Sequence, residues 1–129
     1  MSRVVKCLSV CFFAAFFTLG ATAAETRVVV IWNCEANDGI SQDDLQAVNG
    51  RWVRFANKEV DGGDIRSFLT SAIIGDPSKF KYIDSFPSLD SWAAMDKAMN
   101  SDEGRSIDTA FNAIQKCSKN TLHRAVESE

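Results

Sequence analysis

The sequence has one histidine, one tyrosine, two prolines and four cysteines in 129 residues. These scarcities exclude several kinds of site. No Ser/His/Asp order, Gly-rich phosphate loop or clustered set of metal ligands stands out, and no cofactor is expected. Cys7 and Cys11 lie in an N-terminal apolar segment, which leaves Cys34 and Cys117 for the rest of the chain. A structural metal needs three or four ligands, whereas two thiols and His123 stand far apart here, so a disulfide is favoured over a metal. Repeats and low-complexity segments are absent. Only Glu35 to Ile40 and Val60 to Asp64 resemble linkers.

Long apolar runs are missing beyond the first 24 residues. Arg3 and Lys6, the apolar stretch Cys7 to Leu19, and the small residues Gly20-Ala21-Thr22-Ala23-Ala24 form the three-part layout of a cleavable secretory signal. The apolar stretch is too short to span a bilayer. Cleavage is expected after Ala23 or Ala24, leaving a mature chain that begins at Ala24 or Glu25. Cys11 ends a Leu-Ser-Val-Cys string of the kind that precedes lipid attachment, but most of the apolar run follows it, which disfavours a lipoprotein. The expected compartment is the periplasm or the exterior, where two cysteines usually pair. Losing Arg3 and Lys6 leaves twelve basic against seventeen acidic residues, a net charge of −5. That sign argues against nucleic acid or an anionic membrane as partner. Residues 25–129 suit one soluble domain.

Arg27 to Asn33 reads as a strand with two apolar faces, Val28, Val30 and Trp32 on one and Val29 and Ile31 on the other. Ser41 to about Lys58 reads as a helix, with Ser41 and Asp44 as a short capping box and Leu45, Val48, Trp52 and Phe55 or Ala56 on one face. Gly50 within it suggests close approach to a sheet or room for a ligand. Ile65 to Ile74 and Phe80 to Phe86 read as a hairpin around Gly75-Asp76-Pro77-Ser78. Ser88 caps a helix carrying Leu89, Trp92, Met95 and Met99. Asn100 to Gly104 breaks it, and a further helical stretch carries Ile107, Phe111, Ile114 and Cys117. Thr121 to Val126 is a last short strand. This order is the split βαβ arrangement of an α+β, ferredoxin-like domain, an antiparallel sheet with both helices on one face. The first strand and second helix then run the same way and bring Cys34 and Cys117 to one edge, predicting a disulfide within the helix–sheet core.

The stretch Phe80-Lys81-Tyr82-Ile83-Asp84-Ser85-Phe86-Pro87-Ser88-Leu89-Asp90-Ser91-Trp92, followed by Asn100-Ser101, resembles the third strand and second helix of the dimeric α+β barrel superfamily. That group includes antibiotic-biosynthesis-monooxygenase-like domains and stress-responsive barrel proteins. The resemblance implies a homodimer whose two sheets close into a barrel, consistent with an apolar Val29–Ile31 face that needs a cover. It fixes no reaction, since the scaffold hosts oxygenases, isomerases, haem-handling enzymes and proteins without activity. Catalytic members often carry a histidine in the second helix, where this chain has Met95.

Six residues are candidates for ligand contact: Asn33, Trp52, Arg54, Tyr82, Asp84 and His123. Trp52 and Tyr82 can wall a pocket, with Arg54 and Asp84 as polar fixing groups. Core packing for Trp52 and solvated positions for Arg54 and Asp84 are the plainer alternatives. Asn33 suits local turn bonding, and His123 a half-exposed strand position. Two functions follow: an exported barrel that binds a small, partly apolar molecule or a protein partner, or a cofactor-independent oxygenase or isomerase using the same pocket.

Overall fold

The computed structural model describes residues 25–128. The expected signal segment and its cleavage site lie outside the described residues. The element order is β1 (Thr26–Ala36), α1 (Gln42–Glu59), β2 (Arg66–Ser71), β3 (Lys79–Phe86), α2 (Leu89–Ala98), α3 (Asp102–Ile114) and β4 (Gln115–Val126). The sheet order is β2-β3-β1-β4, and each neighbouring pair is antiparallel. Each βαβ unit therefore crosses over a strand of the other unit. This is the ferredoxin-like α+β arrangement.

Local chemistry sets the helix starts. The Ser41 hydroxyl accepts from the Asp44 N–H at 3.2 Å, while the Asp44 carboxylate accepts from the Ser41 N–H at 2.9 Å. Ser88 and Ser101 cap α2 and α3 in the same way, each accepting an N–H three residues on at 3.1 Å. A capping serine typically contributes ~1 kcal/mol. Gly104 is the residue the α2–α3 junction requires, because a Cβ there would sit 2.6 Å from the Met99 backbone. Gly50 serves neither purpose read from its position. A Cβ there would meet only Arg54 Nη1, on its own helix, at 3.4 Å.

Alternation decides the two sheet faces. Val30 packs with Trp52, Phe55, Ala56, Phe86, Met95 and Ile107 in the main core, so α1, α2 and α3 share one side of the sheet. Leu45, Cys34, Phe80 and Tyr82 form a second cluster on that side. On the opposite face, Phe68, Ile83, Ile31 and Thr121 pair in a row across all four strands. Phe68 is 54 % exposed there.

Several boundaries differ from the sequence-based expectation, and β1 runs to Ala36, past the expected end at Asn33. β2 ends at Ser71, not Ile74, because β3 begins opposite it with Ser71 paired to Phe80. Ile73 and Ile74 fall in the turn and are 100 % and 94 % exposed. β4 begins at Gln115, not Thr121. Cys117 accordingly lies on a strand and not at the end of a helix. The helix stops because Asn37 takes its last carbonyls: the Asn37 N–H donates to Ile114 O at 2.9 Å and its Nδ2 donates to Ala113 O at 3.0 Å. Gln115 is then extended.

The disulfide Cys34–Cys117 is present, but as a cross-strand bridge between β1 and β4. A shift of register between Asn33 and Cys34 makes it geometrically available. Asn33 pairs with Lys119 and Cys34 with Cys117, so Ser118 is the extra residue of a β-bulge. Regular alternation would have set Ser118 against Cys34. The bulge returns Cys117 to the helix side, where Cys34 is buried.

Candidate ligand cavity

The residues of β3 that face the helices are Phe80, Tyr82, Asp84 and Phe86, all buried. Three aromatic side chains belong on such a face by the hydrophobic effect. An aspartate does not, and the structure builds a polar network around it. Asp84 Oδ1 accepts from Ser67 Oγ at 2.5 Å, and Oδ2 accepts from Trp32 Nε1 at 3.0 Å. Asn49, on the buried stripe of α1, donates through Nδ2 to Ser67 Oγ at 3.0 Å. Burial pushes the Asp84 carboxyl up to about 6, against the opposing pull of the hydrogen bonds from Ser67 and Trp32. Among the described residues Asp84 forms no salt bridge.

Asp84, Trp32 and Asn49 border a cavity of about 420 Å³ between the sheet and the helix layer. β1 contributes Val30 and Trp32, and β3 contributes Tyr82, Asp84 and Phe86. From α1 come Asn49 and Trp52, from α2 Trp92 and Met95, from α3 Phe111, and from the start of β4 Gln115 and Cys117. Asp96 and Asp108 also line it, while among the described residues no lysine, arginine or histidine does. The rings lock one another edge to face: Trp52 against Phe86 at 6.3 Å and Tyr82 against Phe111 at 5.7 Å. Tyr82 donates its hydroxyl to Gln115 Oε1 at 2.8 Å. Burial, reinforced by the nearby Asp84 charge, pushes the Tyr82 phenol up, so it remains a donor at neutral pH.

Of the six residues singled out from the sequence, Trp52, Tyr82 and Asp84 meet at this cavity. Asn33 and His123 lie on the opposite sheet face, in register with Lys81 and Val29 respectively. His123 Nε2 is 2.8 Å from Thr121 Oγ1. Arg54 is exposed on α1. The sequence reading passed over Asn49, Ser67 and Gln115. Asn49 had a signal, since it lies four residues after Leu45 and three before Trp52 on the apolar stripe of α1. Ser67 and Gln115 had none, because their partners are 17 and 33 residues away.

No protein-family model matches the chain, and no curated protein matches it significantly in sequence. Solved structures do resemble it. SnoaB, a cofactor-independent oxygenase from Streptomyces nogalater, aligns over 79% of this chain and 95% of its own with 15% identity and a TM-score of 0.61. A protein assigned as an antibiotic biosynthesis monooxygenase from Chloroflexus aurantiacus covers 80% of this chain and 96% of its own, at 12% identity and a TM-score of 0.57. A conserved protein of unknown function from Bacteroides thetaiotaomicron covers 81% of this chain and 100% of its own, at 10% identity and a TM-score of 0.53. The chain has the ferredoxin-like fold of the antibiotic-biosynthesis-monooxygenase-like proteins.

Proposed function

We propose that this is an exported α+β barrel protein that holds a small, partly apolar molecule between its sheet and its helices. The observation that carries this reading is the cavity: about 420 Å³ of space walled by aromatic rings, with a hydrogen-bonded Asp84 on its sheet wall. Small-molecule pockets commonly combine this size with apolar walls and a few placed polar groups. Trp32, Trp52 and Trp92 are the only tryptophans in the sequence, and all three line the cavity. Intrinsic fluorescence therefore reports occupancy. Purified mature protein titrated with a library of small aromatic compounds should show saturable quenching or a spectral shift. Absence of any saturable change across such a library, with no ligand copurifying, would overturn the reading.

The Phe68–Ile83–Ile31 row leads us to assign the homodimer interface to the outer face of the sheet, where a second copy would cover it. The Cys34–Cys117 bridge supports export, since such bonds persist in oxidising compartments. Among the described residues no helix is long and apolar enough to cross a membrane. Mass spectrometry of the natively exported protein should find Ala24 or Glu25 at its N-terminus, and an intact Met1 would refute cleavage.

A second reading, cofactor-independent oxygenase or isomerase chemistry, is favoured by one observation. Asp84 is a buried carboxyl raised to about 6, in the range where a carboxylate can take a proton from a bound substrate near neutral pH. Oxygen uptake with hydroxylated polycyclic quinols, lost in Asp84→Asn, would support it. Ligand retention without turnover would favour binding alone.

A further inference from the structure

The small-molecule reading leaves the charge of the ligand open, and the cavity's own electrostatics address it. Among the described residues its lining carries three carboxylates, Asp84, Asp96 and Asp108, and no basic side chain. Asp84 is only 6 % exposed, and both of its hydrogen-bond donors, Ser67 and Trp32, are uncharged. Taking a carboxylate out of water without a countercharge is costly, and buried charges are ordinarily paired. Each Asp84 oxygen receives one hydrogen bond from the protein, so each keeps a lone pair free for a further donor. The remaining lining includes six aromatic residues, three of them tryptophans. An aromatic face attracts a cation through its quadrupole, most strongly for tryptophan, and the attraction grows as water is excluded.

We propose that the cavity binds an organic cation, a small apolar molecule carrying a protonated or alkylated amine, with its nitrogen against Asp84 and its carbon groups among the tryptophan rings. The proposal rests on the small-molecule reading and adds the sign of the ligand's charge. An ammonium there supplies the countercharge the protein withholds from Asp84. Its alkyl or aryl body replaces water against the apolar wall. The same field opposes anions: a carboxylate or phenolate ligand would meet the three acidic groups with nothing to neutralise it. Nor does the cavity suit a bare metal ion, because no group of three or more His, Cys, Asp or Glu among the described residues is arranged to hold one.

The test uses matched compounds on phenyl and naphthyl bodies that differ only at the terminal group: the 2-arylethylamine, the 2-arylethanol and the arylacetate. Each is titrated into the intact disulfide-bonded protein at pH 7.5 and followed by tryptophan fluorescence and calorimetry. The amine is expected to bind about tenfold or more tighter than the alcohol, and the arylacetate weakest. Asp84→Asn should remove most of the preference for the amine, read as the ratio of amine to alcohol affinity in the variant against the parent. The double variant Asp96→Asn/Asp108→Asn, at positions exposed to solvent, should reduce the preference by a smaller factor. Binding of the alcohol as tightly as the amine would overturn the cation proposal and leave the small-molecule reading standing. So would an amine preference unchanged in Asp84→Asn. Failure of every compound to bind would count against the small-molecule reading itself, and the cation proposal falls with it.

Discussion

Asp84→Asn should make this protein more stable at neutral pH. The folded state raises the carboxyl from 3.8 to about 6, chiefly by burial. Between those values the native protein holds a proton that the unfolded chain has released, so stability falls as pH rises through this window and stays lower above it. At about 1.4 kcal/mol per unit, the loss is on the order of 3 kcal/mol, for a group 6 % exposed and free of salt bridges. Asparagine keeps the shape and removes the charge. Its Oδ1 can accept from Trp32 Nε1, while its Nδ2 can donate to Ser67 Oγ, which already exchanges hydrogen bonds with Asn49. One weakened hydrogen bond offsets about 1 kcal/mol of the gain. The expected outcome is a variant more stable than the parent by about 1–2 kcal/mol at pH 7.5, with little difference or a slight loss below pH 4. Urea unfolding of both proteins at pH 3.5, 5 and 7.5, at one protein concentration and with the disulfide intact, gives the comparison. If the variant is less stable at pH 7.5, or its advantage does not change with pH, then Asp84 is not a strained, uncompensated carboxylate. A cationic ligand would then have no uncompensated buried charge to offset.

Three further outcomes follow from the packing. Replacing Cys34 or Cys117 with serine opens a loop whose ends are 83 residues apart, worth about 4.5 kcal/mol in the chain-entropy model, so calorimetry should show a melting point lower by roughly 20 °C. The two glycines should respond oppositely in denaturant titrations. Gly50→Ala gains up to ~1 kcal/mol of helix propensity with only the mobile end of Arg54 nearby, whereas Gly104→Ala drives a Cβ into the Met99 backbone and loses more than ~2 kcal/mol. Phe68→Asp, in the middle of the outer apolar row, should convert the proposed dimer to a monomer by light scattering. A parent protein that is already monomeric at micromolar concentration would refute the assignment of that face.

The elements were legible where the signal was local. Ser41 with Asp44, Ser88 with Ser91, and the turn at Asp76 to Ser78 are bonds between residues two or three apart, and the sequence displays them directly. The alternation of Val28, Val30 and Trp32 against Val29 and Ile31 likewise assigned both sheet faces. The end of α3 was not legible, because Ile107, Phe111, Ile114 and Cys117 keep helical spacing across the true boundary. The residue that ends the helix, Asn37, is 76 positions from the carbonyl it binds. The same distinction applies at the cavity. Asp84 stands out as a charge on the face of Phe80, Tyr82 and Phe86, and Trp52 as a large ring on a helical stripe. Ser67 and Gln115 acquire their roles only when the sheet sets β2 beside β3 and β4 beside β1.

The disulfide and the cavity are linked through the most exposed strand of the sheet. β4 has twelve residues, of which only Gln115 is buried and Thr121 partly so, and even Leu122 on its helix-facing side is 45 % exposed. Apolar burial therefore contributes little to keeping this edge strand in place. What holds it is the ladder to β1 and the Cys34–Cys117 bond, which fastens it two residues beyond Gln115. Gln115 in turn accepts the Tyr82 hydroxyl and donates through Nε2 to Cys117 Sγ at 3.5 Å. One wall of the cavity thus depends on a strand that the hydrophobic core does not secure. An interior that keeps open space and an unpaired carboxylate forgoes part of the burial available to so small a domain. A covalent bond at the edge of the cavity restores that stability without filling it, and it holds the Tyr82–Gln115 side in place whether or not a ligand is bound.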